Sequence, residues 1–397
     1  MSTRAVIVGS GYAGTGAVKK LEEVAGNSID ITWISEHEYH LVLHEVHRCI
    51  RDPSIESYVV IPVDEVKQPE TEFIHDRVTN VDIDNQIVET DTQSDIAYDY
   101  LLLAVGSETA FYGIDGLQGH AHQLKGLDDA QEIHSDVKSA AESATQQNPA
   151  KIVIGGAGLS GIQTAGEIAE YRDAKRAPME ITLVEGLDEI FPGNDTELQT
   201  ALRERLEEKG VNIMTGEFIS GVDEDVIYIG GSEDQDPTQL AYDTLVWTGG
   251  ITGQKEISNV DVSKDDRSAR VETGADFQTS NPHVFAVGDT ALIDQGEDQV
   301  APPTAQAAWQ AAEVAGENIA RAATDRPLKT WYHDDKGTVI SVGDEAVAHD
   351  VKFPVLGSFP VTVFGGPMAR TLKKAIAARW IADVASTQRA MRAWSNM

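Results

Sequence analysis

Cysteine is almost absent from this chain, because its 397 residues include only Cys49. One cysteine excludes an internal disulfide, a Cys-x-x-Cys redox pair and a zinc or iron–sulfur site built from cysteines. The eleven histidines do not show the spacing of metal ligands, and we expect no metal. Any redox chemistry of this protein therefore depends on a bound organic cofactor.

Basic residues are also scarce, with 31 Lys and Arg against 65 Asp and Glu and a formal net charge of -34. Such a surface lacks the cations that displace counterions from phosphates, which argues against a nucleic-acid binder. The 41% of hydrophobic residues excludes a disordered acidic chain. The acidic surplus predicts a halophilic source with molar internal salt, which screens repulsion between surface charges.

Long apolar runs are missing as well, since none approaches the roughly 18 residues that a membrane-spanning helix needs. The chain passes from Met1–Arg4 directly into the apolar run Ala5–Val8, without the pattern of a signal peptide. These features predict a cytoplasmic protein.

The C-terminal segment differs from the rest in charge. Residues 367–397 carry +5, which leaves -39 on the first 366 residues. Apolar residues recur there every four positions, at Leu372, Ile376, Trp380 and Val384, and Met391 and Trp394 roughly continue the same face. The pattern predicts a basic amphipathic helix or pair of helices, which either packs on its own domain or inserts this stripe into a membrane surface. In the second case, a chain ending near Gly366 would keep its activity.

One sequence pattern occurs twice. The first copy has a strand at Ala5–Val8, the glycines Gly9, Gly11 and Gly14, a helix, and a second strand followed by Glu36. The second copy has a strand at Ile152–Ile154, a helix through Ala169, a strand at Ile181–Val184 followed by Glu185, and the glycines Gly156, Gly158 and Gly161. Two such βαβ units predict an α/β fold with two Rossmann-like dinucleotide-binding domains.

The residue types in both copies suit a dinucleotide. The first glycine allows a tight turn, the second lets the backbone approach a pyrophosphate, and the third allows close packing of helix on strand. Glu36 and Glu185 follow the last glycine by 22 and 24 residues, where a carboxylate accepts hydrogen bonds from a ribose. Two sites without a catalytic cysteine suggest one flavin and one nicotinamide. Glu185 would repel a 2′-phosphate, which favours NADH over NADPH.

Further motifs carry a family resemblance. They are Tyr98–Thr109 (YDYLLLAVGSET), Leu124–Ala130 (LKGLDDA), Val246–Gly250 (VWTGG), Val287–Asp289 (VGD) and Ala305–Gln310 (AQAAWQ). With the two glycine patterns, they make the sequence resemble the type II NADH:quinone oxidoreductases of the two-dinucleotide-binding flavoprotein superfamily, from about residue 4 to residue 345. The last motif is similar to that family's AQxAxQ quinone-site motif.

The resemblance implies a glutathione-reductase-like plan. It implies an FAD-binding domain over 1–112 and 252–330, an NADH-binding domain over 113–251, and a C-terminal region, 331–397, with a membrane-surface helix. The residues implied to hold FAD are Gly9, Gly11, Gly14, Glu36, Gly106, Gly288, Asp289 and Ala305. Those implied to hold NADH are Gly156, Gly158, Gly161, Glu185 and Gly250.

The implied activity is hydride transfer from NADH to FAD and then transfer of two electrons to a membrane quinone, without proton pumping. The protein would act on the inner face of the cell membrane. Gln306, Gln310 and Glu167 are the implied catalytic residues. Two departures concern the quinone pocket: Gln163 stands where the family has a glutamate, and the loop Tyr39–His44 lacks the family's proline.

Two alternatives share the same core. A soluble ferredoxin or rubredoxin reductase would need neither the AQAAWQ motif nor the basic tail. A slow-turnover protein similar to apoptosis-inducing factor would bind both dinucleotides. Measuring NADH oxidation with and without a soluble quinone would distinguish it from a quinone oxidoreductase. The sequence leaves open the quinone species, the strictness of NADH over NADPH and the oligomeric state, with a homodimer among the alternatives.

Overall fold

The structure is a computed structural model that describes residues 2–232, 235–353, 357–358 and 362–395. Its α-helices in chain order are α1 (Tyr12–Ala25), α2 (Arg48–Arg51), α3 (Glu56–Val59), α4 (Leu117–His120), α5 (Leu127–Ser143), α6 (Leu159–Lys175), α7 (Thr196–Glu208), α8 (Ala305–Ala322), α9 (Gly366–Val384) and α10 (Thr387–Trp394). No helix among these described residues is both long enough and apolar enough to cross a bilayer.

The first sheet is parallel and has five strands. The apolar runs of its inner strands are buried, whereas the edge strand Glu72–His75 is only partly buried. In spatial order the strands are Val284–Ala286, Tyr100–Leu103, Thr3–Val8, Ile29–Ser35 and Glu72–His75. The chain thus returns to this sheet after residue 280, and the predicted strand after the first glycine pattern is confirmed.

The second sheet is also parallel, with four strands. In spatial order they are Val211–Thr215, Met179–Glu185, Ala150–Gly155 and Thr244–Trp247. Helix α6 crosses between two of them, passes Ala169 as predicted and continues to Lys175. The two sheets, each with a glycine turn and a crossover helix, confirm the predicted α/β fold with two Rossmann-like units.

Smaller sheets complete the fold. The segments that connect the two units pair as Glu108–Thr109 with Ile251–Thr252. The other small sheets are Tyr39–Leu41 with Val60–Pro62; Val78–Asp82, Ile87–Thr90 and Ile96–Ala97; Ile219–Val222, Val226–Ile229 and Thr238–Ala241; Val271–Thr273, Ala291–Gly296 and Gln299–Val300; Thr338–Val342, Glu345–His349 and Val363–Gly365; and Lys352–Phe353 with Gly357–Ser358.

Helices α1 and α8 pack closely because glycines face each other's helix. A Cβ atom at Gly16 would lie 2.7 Å from the Ala312 methyl, and one at Gly316 would lie 2.4 Å from the Ala17 carbonyl oxygen. This contact brings the N-terminal end of α8 to the end of the first sheet, beside the first glycine turn.

The tail forms two helices, one of the two arrangements predicted from the sequence. Its apolar stripe is buried in one part and exposed in another. Trp380 and Val384 are only 1% and 2% exposed, so the prediction that they insert into a membrane is wrong. The Trp380 indole N–H donates to His40 Nε2 over 2.7 Å, and its ring contacts the rings of Tyr12 and Trp309. On α9 only Leu372 and Ile376 of the stripe reach solvent, and Met391 and Trp394 on α10 are exposed as well.

Candidate active site

The first glycine turn (Gly9–Gly14) joins a buried strand to α1. Gly9 has a φ of +107°, and a Cβ there would lie 2.2 Å from the Ala104 carbonyl oxygen. A Cβ at Gly14 would lie 2.0 Å from the Gly9 carbonyl oxygen, whereas one at Gly11 would meet no atom within 4 Å. The turn therefore needs its first and third glycines for packing and leaves open space at the second, beside the N-terminus of α1. Such an opening is where a pyrophosphate is bound.

The second glycine turn (Gly156–Gly161) has the same geometry. Gly156 has a φ of +90°, and a Cβ there would lie 2.6 Å from Gly249 Cα. A Cβ at Gly161 would lie 1.9 Å from the Gly156 carbonyl oxygen, and one at Gly158 would again meet nothing within 4 Å. Gly158 precedes α6, so a second helix N-terminus lies beside open space, a geometry that suits an anion.

A cavity of about 1720 Å³ connects these parts of the molecule. It runs along the first glycine turn, Glu36, Gly106 and Asp289, and it reaches Leu159 and Ser160 at the start of α6. It also reaches the N-terminal end of α8, with Ala305, Gln306 and Gln310. Pockets for drug-sized ligands usually measure about 300–1,000 Å³, so this cavity has room for a larger ligand such as a dinucleotide.

The two carboxylates expected at the riboses differ in their contacts. Glu36 is exposed at the cavity wall, and its carboxylate makes no hydrogen bond or ion pair with another described residue. Glu185 is 9% exposed and accepts hydrogen bonds from the backbone N–H groups of Ala157 (2.8 Å) and Leu187 (3.0 Å). Each carboxylate oxygen accepts more than one hydrogen bond, so Glu185 keeps capacity for a ribose hydroxyl.

Polar groups at the carboxyl ends of the first sheet form the wall around Asp289. Asp289 belongs to the 3₁₀ turn Gly288–Thr290, where Gly288 has a φ of +71°. Its carboxylate accepts from Ser107 Oγ at 3.4 Å, and the Gly106 N–H donates to Thr290 Oγ1 at 2.8 Å. The structure thus brings Gly106, Gly288 and Asp289 together at the cavity.

Lys125 is a residue that the sequence analysis did not single out. It lines the cavity, and its Nζ donates to Ser107 Oγ at 2.9 Å. Burial lowers its pKa, while the nearby charges of Asp289 and Asp129 oppose that shift. A lone lysine within the stretch LKGLDDA was the only signal in the sequence that could have pointed to it.

At Gly250 the connecting segment passes the second glycine turn. Gly250 has a φ of +150°, and a Cβ there would lie 2.0 Å from the hydroxyl of Tyr112. Tyr112 Oη donates to the Gly249 carbonyl oxygen at 3.2 Å. Tyr112 and Gly250 line the cavity where it approaches α6.

Gln306 and Gln310 lie one turn apart on α8 and line the cavity. Their amides hold the backbone of residues 334–337: Gln306 donates to the Gly337 carbonyl (3.0 Å) and accepts from the Lys336 N–H (2.8 Å). Gln310 binds both backbone groups of Asp334, at 2.9 and 3.1 Å. These contacts fix the cavity wall, a role that the sequence pattern did not indicate.

Glu167 lies behind this wall and not on it. It is 1% exposed, one turn after the cavity-lining Gln163 on α6, and its carboxylate lies 3.1 Å from Arg51 Nε. Burial raises its pKa to about 7, although Arg51 and Arg48 act in the opposite direction. A buried carboxyl with this pKa exchanges a proton near neutral pH.

Other polar groups lie near Glu167, and three of them, Gln163, His47 and Lys373, line the cavity. Gln163 Nε2 donates to Ser341 Oγ (3.1 Å), and His47 Nε2 lies 2.9 Å from the same hydroxyl. Lys373 Nζ lies 3.6 Å from the buried Glu45 carboxylate, and burial lowers the pKa values of both Lys373 and His47. Hydroxyl, amide and imidazole groups thus lie between the cavity and the Glu167 region.

The only cysteine has no part in this site. Cys49 is fully buried, and burial raises its pKa to about 12. The thiol stays protonated at neutral pH and is a poor nucleophile.

Comparisons with known proteins agree with this geometry. The model of the family "Pyridine nucleotide-disulphide oxidoreductase" matches residues 3–312. A type II NADH:quinone oxidoreductase from Staphylococcus aureus strain NCTC 8325 is 28% identical over 392 residues, which cover 95% of this chain and 94% of that protein. The same-named protein of strain MSSA476 is 28% identical over 356 residues, covering 86% and 87%.

Two solved structures share the fold. NDH2 from Plasmodium falciparum in complex with NADH superimposes with a TM-score of 0.85 at 16% identity, covering 100% of this chain and 98% of that one. The sulfide:quinone oxidoreductase from Aquifex aeolicus superimposes with a TM-score of 0.79 at 17% identity, covering 98% and 92%.

Proposed function

Since the chain belongs to the pyridine nucleotide-disulphide oxidoreductase family, we propose that it is an FAD-dependent NADH:quinone oxidoreductase of the type II class, which does not pump protons. The observation that carries this proposal is a single cavity that connects the first glycine turn, the start of α6 and the AQAAWQ end of α8. A buried, protonated Cys49 is consistent with a member of the family that works without a redox disulfide.

FAD, when bound, supplies the site that accepts a hydride from NADH and delivers electrons to an acceptor. Gly11 and the N-terminus of α1 would hold its pyrophosphate, and Glu36 its ribose. Lys125, Asp289 and the N-terminal end of α8 would line the remainder, with Gly9, Gly14, Gly106, Gly288 and Ala305 shaping the backbone around it. We assign this domain to residues 1–112 and 252–330.

NADH would bind the second unit, residues 113–251. Gly158 and the start of α6 would hold its pyrophosphate, and Gly156, Gly161 and Gly250 provide the close backbone contacts of that turn. Glu185 would accept hydrogen bonds from the adenosine ribose. Its buried carboxylate disfavours a 2′-phosphate at the same place, so the enzyme should prefer NADH.

The quinone would enter at the end of the cavity near α8 and α9. This acceptor end is lined by Gln306, Trp309, Gln310, Leu43 and Ile376. Leu43 and Ile376 are each 36% exposed, so an apolar substrate meets apolar side chains at the opening. The glutamines hold this wall and would place their amides near a quinone carbonyl.

Reduction of a quinone by NADH consumes one proton from solution in addition to the hydride. Glu167, with a pKa of about 7, would hold that proton behind Gln163 and Ser341. Because Glu167 does not line the cavity, we assign it the role of holding a proton and not that of contacting the quinone.

A substrate that dissolves in lipid requires a protein that reaches the membrane surface. We propose peripheral attachment on the inner face of the cell membrane, through the exposed part of residues 331–397. The buried Trp380 and Val384 anchor α9 to the body, so attachment would use the side chains around them that remain exposed.

Steady-state oxidation tests this function. The purified holoprotein should oxidise NADH rapidly with a water-soluble quinone and slowly without one, and NADPH should be a much poorer donor. Glu185→Ala should narrow the difference in kcat/KM between the two nucleotides by about 5- to 150-fold, the effect of roughly 1–3 kcal/mol. Glu189→Ala, an exposed neighbour on the same loop, is the control.

Two results would contradict the proposal. NADH oxidation that does not respond to a quinone would favour the slow-turnover alternative. Equal use of NADPH by the wild type would contradict the assignment of Glu185.

A further inference from the structure

A second depression, of about 390 Å³, lies between α2 and α9 on the outside of the protein. None of the residues that line it lines the large cavity. Four of them are cations and two are carboxylates: Arg48, Arg51, Arg370 and Lys374, with Asp52 and Asp344. We call these six residues the cationic cleft.

The carboxylates around the cleft are distributed unequally among its four cations, and the charge of Arg51 also acts on Asp52. Glu45 lies 3.5 Å from Arg48 and Glu167 lies 3.1 Å from Arg51, both from the buried side. On the open side, Asp344 lies 2.8 Å from Arg51 and 3.6 Å from Arg370.

Lys374 forms no ion pair with any residue that the structure describes. Burial lowers its pKa, and so do the like charges of Arg370 and Arg48, while Asp344 and Glu45 act in the opposite direction from beyond ion-pairing distance. Lys374 thus lies close to other cations, although the protein has a net charge of -34. An anion placed in the cleft would satisfy Lys374 and Arg370 together.

Exposed apolar side chains stand next to this cleft. Met391 and Trp394, 68% and 40% exposed, lie one turn apart on α10, and Trp394 precedes Ser395, another residue of the depression. Basic side chains flanked by exposed apolar ones are the composition of a surface that contacts lipid headgroups and acyl chains together.

We propose that the cationic cleft binds the phosphate group of an anionic phospholipid, with Met391 and Trp394 entering the bilayer surface beside it. The inference rests on the proposed function, because a lipid-soluble substrate brings the enzyme to a membrane. It adds a defined headgroup site to that function. Arg370 and Lys374 supply the contacts to the phosphate, and Asp344 keeps Arg51 and Arg370 in place when no phosphate is bound.

Vesicle flotation of the full-length holoprotein at low salt tests this site. Wild type is compared with Arg370→Glu/Lys374→Glu on vesicles of phosphatidylglycerol and of phosphatidylcholine. The control is Arg267→Glu/Arg326→Glu, which makes the same change in net charge at two exposed residues outside the cleft. Bound flavin and melting temperature of each variant establish that it is folded.

The wild type should bind phosphatidylglycerol vesicles and not phosphatidylcholine vesicles. The double variant should lose binding by at least about tenfold, since each basic residue near an anionic surface contributes measurably. The control Arg267→Glu/Arg326→Glu should bind like the wild type. Inorganic phosphate at tens of millimolar should compete with the vesicles more strongly than chloride at equal ionic strength.

Three outcomes would overturn the site. In the first, the double variant binds phosphatidylglycerol as wild type does. In the second, the control loses as much binding as the double variant, so that net charge alone decides. In the third, wild type binds phosphate in solution by calorimetry but no anionic vesicle, which makes it a site for free phosphate. NADH oxidation with a soluble quinone is measured separately, so failure of the proposed function is distinguished from failure of the cleft.

Discussion

At the scale of single residues, burial determines what the ionisable groups of this protein can do. His40 shows this for a structural group: burial lowers its pKa to about 4, and the neutral ring donates from Nδ1 to the Ser10 carbonyl while Nε2 accepts from Trp380. Glu167 shows it for a proposed functional group, because the same desolvation raises the pKa of a carboxyl into the neutral range.

Glu167 should make stability depend on pH. Below pH 4.5 the carboxyl is protonated in both the folded and the unfolded protein. Between pH 4.5 and 7 it ionises only in the unfolded protein, so the free energy of unfolding falls as pH rises. The fall is roughly 3 kcal/mol and is complete above pH 7. Glu167→Gln should remove this slope, so the variant should gain melting temperature relative to wild type between pH 5 and pH 8. Glu142→Gln, on the exposed face of α5, should show no such change, and a pH-independent difference for Glu167→Gln would contradict the assignment.

The site residues were predictable to different degrees. The glycines could be predicted because the requirement for glycine is local. Gly9 and Gly156 have a positive φ, and a side chain at Gly14 or Gly161 would collide with the backbone of the same turn. Lys125 could not, because its role depends on Asp289, more than 160 residues away. The backbone contacts of Gln306 and Gln310 were missed for the same reason, since they depend on where residues 334–337 fold.

At the scale of elements, α9 shows that a sequence period can predict a helix correctly and still not predict the surface on which that helix packs. The four-residue spacing does mark one helix, but the spacing does not say which surface it faces. The glycine-rich contact between α1 and α8 leaves a recess that receives Trp380: a Cβ at Gly16 would lie 3.6 Å from its ring. The shape of that recess is a property of the folded body, which the tail sequence does not contain.

Trp380→Ala should therefore destabilise the protein by about 3–5 kcal/mol, the usual cost of emptying a large buried site. Trp380→Phe should cost less, mainly by leaving His40 Nε2 without a donor. Trp394→Ala, in the exposed part of the same tail, should leave the melting temperature nearly unchanged. An unchanged melting temperature for Trp380→Ala would mean that α9 is not an integral element.

Truncation follows the same argument. A chain ending near Gly366 would lose Trp380 and uncover Tyr12 and Trp309, so we expect it to aggregate or lose its flavin, contrary to what the tail sequence alone suggested.

At the scale of the whole molecule, two nucleotide units and a C-terminal region enclose one cavity, and an acidic surface surrounds them. The fold was largely predictable because a strand, a glycine turn, a helix and an acidic residue occur twice in one order. The expectation that the charge of -34 reflects a high-salt environment stays a prediction. Charge distribution also gives the cationic cleft its significance, because it is a basic area on an otherwise anionic chain.

The central claim is that one cavity serves two half-reactions, and an anaerobic stopped-flow experiment tests it most directly. One equivalent of NADH should bleach the flavin absorbance of the wild-type protein, and a soluble quinone mixed afterwards should restore it. Gln306→Ala should leave the first step nearly unchanged and slow the second, while a flavin that NADH does not bleach, or that quinone does not restore, would contradict the account.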